Sequence, residues 1–195
     1  MNSICVFCGS NPGNDPHFRI MAEQLGIYLA NNNIKLIYGG ANVGLMRTTA
    51  QAVLDNGGEV TGVITHFLAQ KHLVQPGLTD LILVDTMHQR KAKMADLAGG
   101  FVVLPGGTGT LEEMFEMFTM AQLSLHQKPI GILNTNAYYD HLLLFLNHAV
   151  NSGMMLPIHR NMLCVSESIE ELVGQMQNYQ HPVAGKWIED IIRKS

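Results

Sequence analysis

Seven short runs of β-branched and other apolar residues, at 3–8, 34–38, 59–64, 81–85, 100–104, 129–133 and 162–165, recur along the chain with helical stretches between them. Strands that alternate with helices pair in parallel, because a helix is the compact crossover that returns the chain to start the next strand in the same direction. The expected fold is a doubly wound, Rossmann-like α/β domain: a mainly parallel sheet of about seven strands with helices on both faces. Phe18, Met21, Leu25 and Leu29 follow helical spacing, which predicts a first helix near 16–31 packed on that sheet. Ser168 followed by Glu171 reads as a capping box opening the helix ELVGQMQNY, and 181–195 reads as a tail with a short final helix. With 195 residues and 47% hydrophobic content, there is material for one substantial core and too little length for two domains.

Charge and cysteine usage exclude several classes of function. The net charge is −4 and the twelve lysines and arginines are scattered, so no electrostatic footprint for nucleic acid exists and any bound phosphate must be held locally. No apolar run reaches the roughly 18 residues of a membrane span, and MNSICVFCGS lacks the basic start and apolar stretch of a signal peptide. These features predict a soluble, cytoplasmic protein without a membrane partner. Cys5 and Cys8 form a C-x-x-C, but residues three apart on a strand point to opposite faces, and no tightly spaced histidine pair offers further metal ligands. Core packing is the expected role of both thiols, and no metal is expected.

The chemistry is sought beyond the carboxyl ends of the strands, where open α/β sheets bind ligands. Three of those ends are glycine-rich: Gly9 and Ser10 after the first run, Gly39, Gly40 and Gly44 after the second, and Leu104-Pro105-Gly106-Gly107-Thr108-Gly109-Thr110 after the fifth. The last is the most informative. Glycines let backbone N–H groups approach an anion, two threonine hydroxyls add donors, and the next helix presents its positive end, so a phosphate fits. A bare strand-to-helix turn needing positive φ would be met by one glycine. The segment is neither G-x-G-x-x-G, since Glu112 stands where the last glycine belongs, nor a Walker A motif, which would need Gly-Lys-Ser/Thr. Two carboxylates, Glu112 and Glu113, fall in the expected first turn of the helix. Dipole pairing explains one of them, and the other is available for a sugar or a water.

After the fourth run, Met87-His88-Gln89-Arg90-Lys91-Ala92-Lys93-Met94 places Arg90 within the apolar sector formed by Met87, Met94, Leu97 and Ala98. A cation there needs a partner, either a structural carboxylate or a cleft facing the glycine loop and Glu113. The helix after the loop carries Met114, Phe115, Met117, Phe118, Met120 and Leu123 around most of its circumference. One sheet cannot cover so wide a face, which predicts burial against a second subunit in a homodimer or, alternatively, a deep internal helix.

At Pro105-Gly-Gly-Thr-Gly-Thr-Leu-Glu-Glu113 together with Met87-His-Gln-Arg-Lys91, the sequence resembles the Lonely Guy (LOG) family of cytokinin riboside 5′-monophosphate phosphoribohydrolases. The likeness runs from Cys5-Val-Phe-Cys-Gly-Ser10 through Tyr38-Gly-Gly and Gly44-Leu-Met46 to Lys128-Pro-Ile-Gly131, fading after about residue 166. The resemblance implies hydrolysis of the N-glycosidic bond of a purine or cytokinin riboside 5′-monophosphate such as AMP, with Arg90 and Glu113 as the catalytic pair. It further implies a nucleotide site containing Gly9, Ser10, Gly40, His72, Met87, Lys91 and Met94. The run Gly106, Gly107, Thr108, Gly109, Thr110, Leu111 and Glu112 joins that site, as does Thr119. Similar proteins are dimeric and use neither metal nor organic cofactor. Three departures bear on base preference: Ala41-Asn42 in place of a common Gly-Ser, Arg47 in place of a usual glycine, and His72 where a base-contacting glutamate is frequent. Similar proteins are also labelled lysine decarboxylases, but Lys91 and Lys93 lack the partners a pyridoxal phosphate site requires. A nucleotide-binding sensor or carrier without turnover is the rival reading, and the presence of both Arg90 and Glu113 weighs against it.

Overall fold

The computed structural model describes residues 1–182. All seven expected strands form, their ends displaced by no more than one residue: β1 (Ser3–Phe7), β2 (Lys35–Tyr38), β3 (Val60–Thr65), β4 (Asp80–Val84), β5 (Phe101–Val103), β6 (Ile130–Leu133) and β7 (Leu163–Ser166). Between them run α1 (Pro16–Asn31), α2 (Gly44–Asp55), α3 (His66–Ala69), α4 (Met87–Leu97), α5 (Thr108–Gln122), α6 (Asp140–Asn151) and α7 (Pro157–Arg160), with α8 (Ile169–Gln177) following β7. The final helix expected within 181–195 falls almost entirely on residues outside those described.

Every strand pair is parallel and the order is β4-β3-β2-β1-β5-β6-β7. The chain winds outward from β1 to β4, then returns to place β5 against the other side of β1. The β1–β5 junction is therefore the topological switch point, where the loops leaving two neighbouring strands diverge and open a crevice. Fully buried sheet strands such as VTGVIT in β3 carry apolar residues on both faces, as coverage from both sides demands.

Two apolar clusters sit on opposite faces of the sheet. One gathers Ile4, Val6, Leu25, Leu29, Leu36, Val53, Leu172 and Met176, from β1, β2, α1, α2 and α8. The other gathers Cys5, Phe7, Met94, Phe101, Met114, Phe118 and Leu146, from β1, β5, α4, α5 and α6. Cys5 and Cys8 belong to different clusters, as the strand alternation predicts. Leu25 and Leu29 are buried in α1, whereas Phe18 and Met21 are half-buried at its edge. The cap of α8 differs in detail from a capping box. Ser168 accepts from the Glu171 N–H, but the Glu171 carboxylate is bonded by Ser166 Oγ, which in turn accepts from the Ser168 N–H.

The broad apolar face of α5 is covered largely within the chain. Met114, Met117 and Phe118 are buried, and Phe115 and Met120 pack partly into the cluster that also holds Leu142, Leu143 and Leu146 of α6. What remains outside is Leu123 at 47% exposure and Leu125 at 66%. Among the described residues, no helix is long and apolar enough to cross a membrane.

Candidate active site

A cavity of about 510 Å³ opens at the β1–β5 switch point. Its floor is the segment between β5 and α5, whose carbonyls are all engaged. Leu104 O accepts from the Tyr139 hydroxyl, Pro105 O from the Gly9 N–H, Gly106 O from the Tyr138 hydroxyl and Gly107 O from the Leu111 N–H. The N–H groups of Gly107, Thr108, Gly109 and Thr110 take no partner among the described residues. Gly107 is the N-cap and has no side chain to offer, so the first-turn donors of α5 stay uncapped. Engaged carbonyls and free N–H groups at a helix N-terminus are the features of a site for an anion such as phosphate.

The glycines support this reading over a bare turn. None of Gly106, Gly107 and Gly109 has positive φ, and a Cβ added at Gly107 or Gly109 would meet nothing within 4 Å. Neither backbone strain nor packing within the chain requires glycine at those two positions. Close approach of something outside the chain is the remaining physical reason.

Arg90 is delivered by α4, which opens at Thr86 with a full capping box through Gln89. Arg90 is 6% exposed: Nε donates to Val63 O at 2.9 Å, within β3, and Nη2 to Gly39 O at 2.8 Å, just past the carboxyl end of β2. Nη1 lies 3.6 Å from Glu113 Oε1. Both sequence readings of Arg90 therefore hold in part. Backbone carbonyls fix one side of the fork, and the rest faces the cavity and Glu113. Gly39 is obligatory for this packing, since a Cβ there would fall 1.6 Å from Arg90 Nη2.

Glu113 has its carboxyl pushed up to about 7, chiefly by burial, against the opposing pull of Arg90 and with help from Glu112. A carboxylate poised near neutrality in a cleft is suited to proton transfer or to stabilising positive charge. The same burial, with Glu113 nearby, drives the Cys8 thiol well above its ordinary range, so it stays protonated and unreactive. Among the described residues, no group of three or more His, Cys, Asp or Glu side chains could hold a metal ion.

Most of the expected site residues converge here. Gly9, Ser10, Met87, Arg90 and Met94 line the cavity, together with Gly106, Gly107, Thr108, Gly109, Thr110, Glu112 and Glu113. Five do not. Gly40 is a turn residue with φ +72 whose carbonyl accepts from Gln75 N–H, and His72 is exposed on the loop after α3 with φ 57. Leu111 packs into the apolar cluster, and Thr119 is exposed three turns along α5. Lys91 does not line the cavity itself: its ammonium pairs with Glu112, which does, and with Glu116 at 2.8 Å. Burial alone would lower the Lys91 pKa, but those two carboxylates hold it above its ordinary value. The helix also starts earlier than the sequence suggests, at Thr108, so Glu112 and Glu113 lie in its second turn and dipole pairing does not account for them.

Gly39 and Met46 were noted in the sequence but not assigned to the site, and the turn Asn11-Pro12-Gly13, Phe18 and Tyr138 were missed; all line the cavity. The Asn-Pro-Gly turn directly after Gly9-Ser10 was a readable signal. Tyr138 comes from the β6–α6 connection and carries none.

The model of a family described as "possible lysine decarboxylase" matches residues 46–176. The cytokinin riboside 5′-monophosphate phosphoribohydrolase of Rhodococcoides fascians is 45% identical over 177 residues, covering 90% of this chain and 89% of that protein. The enzyme of the same name designated LOG7 in Arabidopsis thaliana is 44% identical over 177 residues, covering 91% of this chain and 82% of the relative. Among solved structures, the molybdenum cofactor binding protein of Rippkaea orientalis superposes with a TM-score of 0.69 at 22% identity, covering 90% of this chain and 95% of the other. At that identity the likeness extends to the fold alone.

Proposed function

The chain belongs to the LOG family of cytokinin riboside 5′-monophosphate phosphoribohydrolases, and from that membership we propose that it hydrolyses a purine or cytokinin riboside 5′-monophosphate, such as AMP, to free base and ribose 5-phosphate. The observation that carries the reading is the meeting, in one cavity, of four N–H groups at the start of α5 that take no partner among the described residues with the largely buried Arg90–Glu113 pair. The N–H groups take the 5′-phosphate, and that binding energy, remote from the bond that breaks, places C1′ against Glu113.

Breaking the C1′–N bond leaves oxocarbenium character at C1′, which the ionised Glu113 stabilises while it orients the attacking water. The water oxygen bonds to C1′ and its proton ends on the departing base. Arg90, anchored by Val63 O and Gly39 O, keeps Glu113 in place and presents its remaining donors to the sugar or phosphate. The decarboxylase description of the family model finds no support in these residues. A pyridoxal phosphate enzyme needs a Schiff-base lysine, and among the described residues none lines the cavity, Lys91 being tied to Glu112 and Glu116. The active species is a homodimer joined through the exposed end of α5, working in the cytoplasm.

Incubation with AMP, followed by chromatography for adenine, tests the activity, with adenosine, GMP, CMP and isopentenyladenosine monophosphate as comparisons. Adenine is expected from AMP and far less from adenosine. Binding of AMP without release of base would instead make the protein a nucleotide carrier.

A further inference from the structure

We propose that Tyr138 is a positioning residue that sets the polarity of the phosphate-binding loop, with the neighbouring Tyr139 anchoring the strand end before it; the inference rests on the function proposed above. It starts from the connection between β6 and α6, where Asn136 (φ 51) and Ala137 (φ 58) are consecutive non-glycine residues in the left-handed region. Such a conformation is costly for residues with a Cβ and persists only where surrounding contacts enforce it. Asn134 supplies two of those contacts, accepting from Tyr139 N–H at 2.7 Å and donating to Asp140 Oδ1 at 2.8 Å. Asn136 supplies a third, donating at 2.6 Å to Asp15, the residue that caps α1.

The strained bend delivers two adjacent tyrosines to one stretch of backbone. Tyr138 Oη donates to Gly106 O at 2.8 Å and Tyr139 Oη to Leu104 O at 2.8 Å. Gly106 is thus held at its own carbonyl by one tyrosine and at the carbonyl of Leu104, two residues before it, by the other. The two rings meet edge to face at 4.8 Å, and Tyr138 packs edge-on against Phe18 at 5.2 Å.

The consequence for the loop follows from peptide geometry. Across a planar trans peptide, the carbonyl of one residue and the N–H of the next point in opposite directions. Holding Gly106 O on Tyr138 therefore aims the Gly107 N–H the opposite way, where it takes no partner among the described residues and is free for an anion. This peptide joins two glycines, the pair most able to turn over. Without the Tyr138 donor it can rotate and bring a carbonyl oxygen, which repels phosphate, to where the N–H had been.

The test is Tyr138→Phe, which keeps both ring contacts and removes only the donor. Inorganic phosphate serves as the probe, with its dissociation constant measured by calorimetry and by competition against AMP hydrolysis. Adenosine affinity and the melting temperature are measured beside it. The expected result is phosphate affinity weakened about 5-fold, the worth of one net hydrogen bond, and a matching rise in KM for AMP, with adenosine affinity unchanged. Tyr139→Phe, at a position only 2% exposed, should instead act mainly on the melting temperature. Tyr138→Phe binding phosphate as the wild type does would overturn the clamp while leaving the proposed function standing. Equal weakening of phosphate and adenosine, in step with the melting temperature, would make Tyr138 a general scaffold residue and also overturn it. Wild-type protein that binds neither phosphate nor AMP would remove the proposed function itself.

Discussion

Replacing Glu113 by glutamine separates what the carboxylate does for catalysis from what its burial costs the fold. Its side chain is 15% exposed, and its pKa stands at about 7 against an ordinary 4.5. A group whose folded pKa is raised costs stability once the unfolded chain can ionise. Below about pH 4.5 both states carry the proton and nothing is lost; as the pH climbs from there to about 7, the unfolded carboxyl ionises first and stability falls. At about 1.4 kcal/mol per unit, the full penalty above pH 7 is roughly 3 kcal/mol. Glu113→Gln matches the protonated shape and is free of this penalty. Urea unfolding at a series of pH values should give coincident stabilities near pH 4 and a variant more stable by up to about 3 kcal/mol at pH 8. Turnover of AMP should fall at least about 10²-fold in the same variant, and by less in Glu112→Gln. In the wild type, kcat/KM should rise as the pH passes through about 7, because the ionised form is the working one. Parallel pH–stability curves for the two proteins, or near-wild-type kcat in Glu113→Gln, would refute the reasoning.

Gly39→Ala drives a Cβ into the Arg90 guanidinium, and a displacement of that size should lower kcat/KM for AMP about 10²-fold; unchanged kinetics would show that Arg90 need not sit where it does. Ala137→Gly relieves a left-handed backbone at φ 58 and should raise the urea midpoint by the equivalent of about 0.5–1 kcal/mol with an unchanged slope. For the homodimer, light scattering at micromolar concentration should give twice the chain mass, and Leu123→Glu, at a half-exposed position, should halve it; a wild-type monomer would remove the proposal.

How much of this was legible beforehand depends on whether a property is local. The strands, the first helix, the divergence of Cys5 and Cys8 and the glycine-rich loop were all readable, because alternation, helical periodicity and glycine content act over a few residues. Arg90 could be singled out as a cation on an apolar helical sector. Its anchors, Val63 O and Gly39 O, could not, because they come from β3 and from the residue just after β2. Lys91 and Arg90 are neighbours with similar charge, and the family resemblance grouped both at the nucleotide site. The roughly 100° between successive helical positions sends Arg90 toward Glu113 and Lys91 toward Glu112 and Glu116.

Sequence alone was enough to place a parallel α/β sheet, a glycine-rich loop after the fifth strand, and an arginine and a glutamate as candidates to act beside it. Tertiary structure alone decided that β5 returns next to β1, so that Gly9 meets Pro105 and the two loops share one crevice. It also decided that burial outweighs Arg90 in setting the Glu113 pKa, and that a strained connection after β6 brings Tyr138 onto Gly106. The physical reason is common to all three. Strand order, desolvation and hydrogen bonds between residues tens of positions apart depend on where distant segments come to rest, and no short window of sequence encodes that.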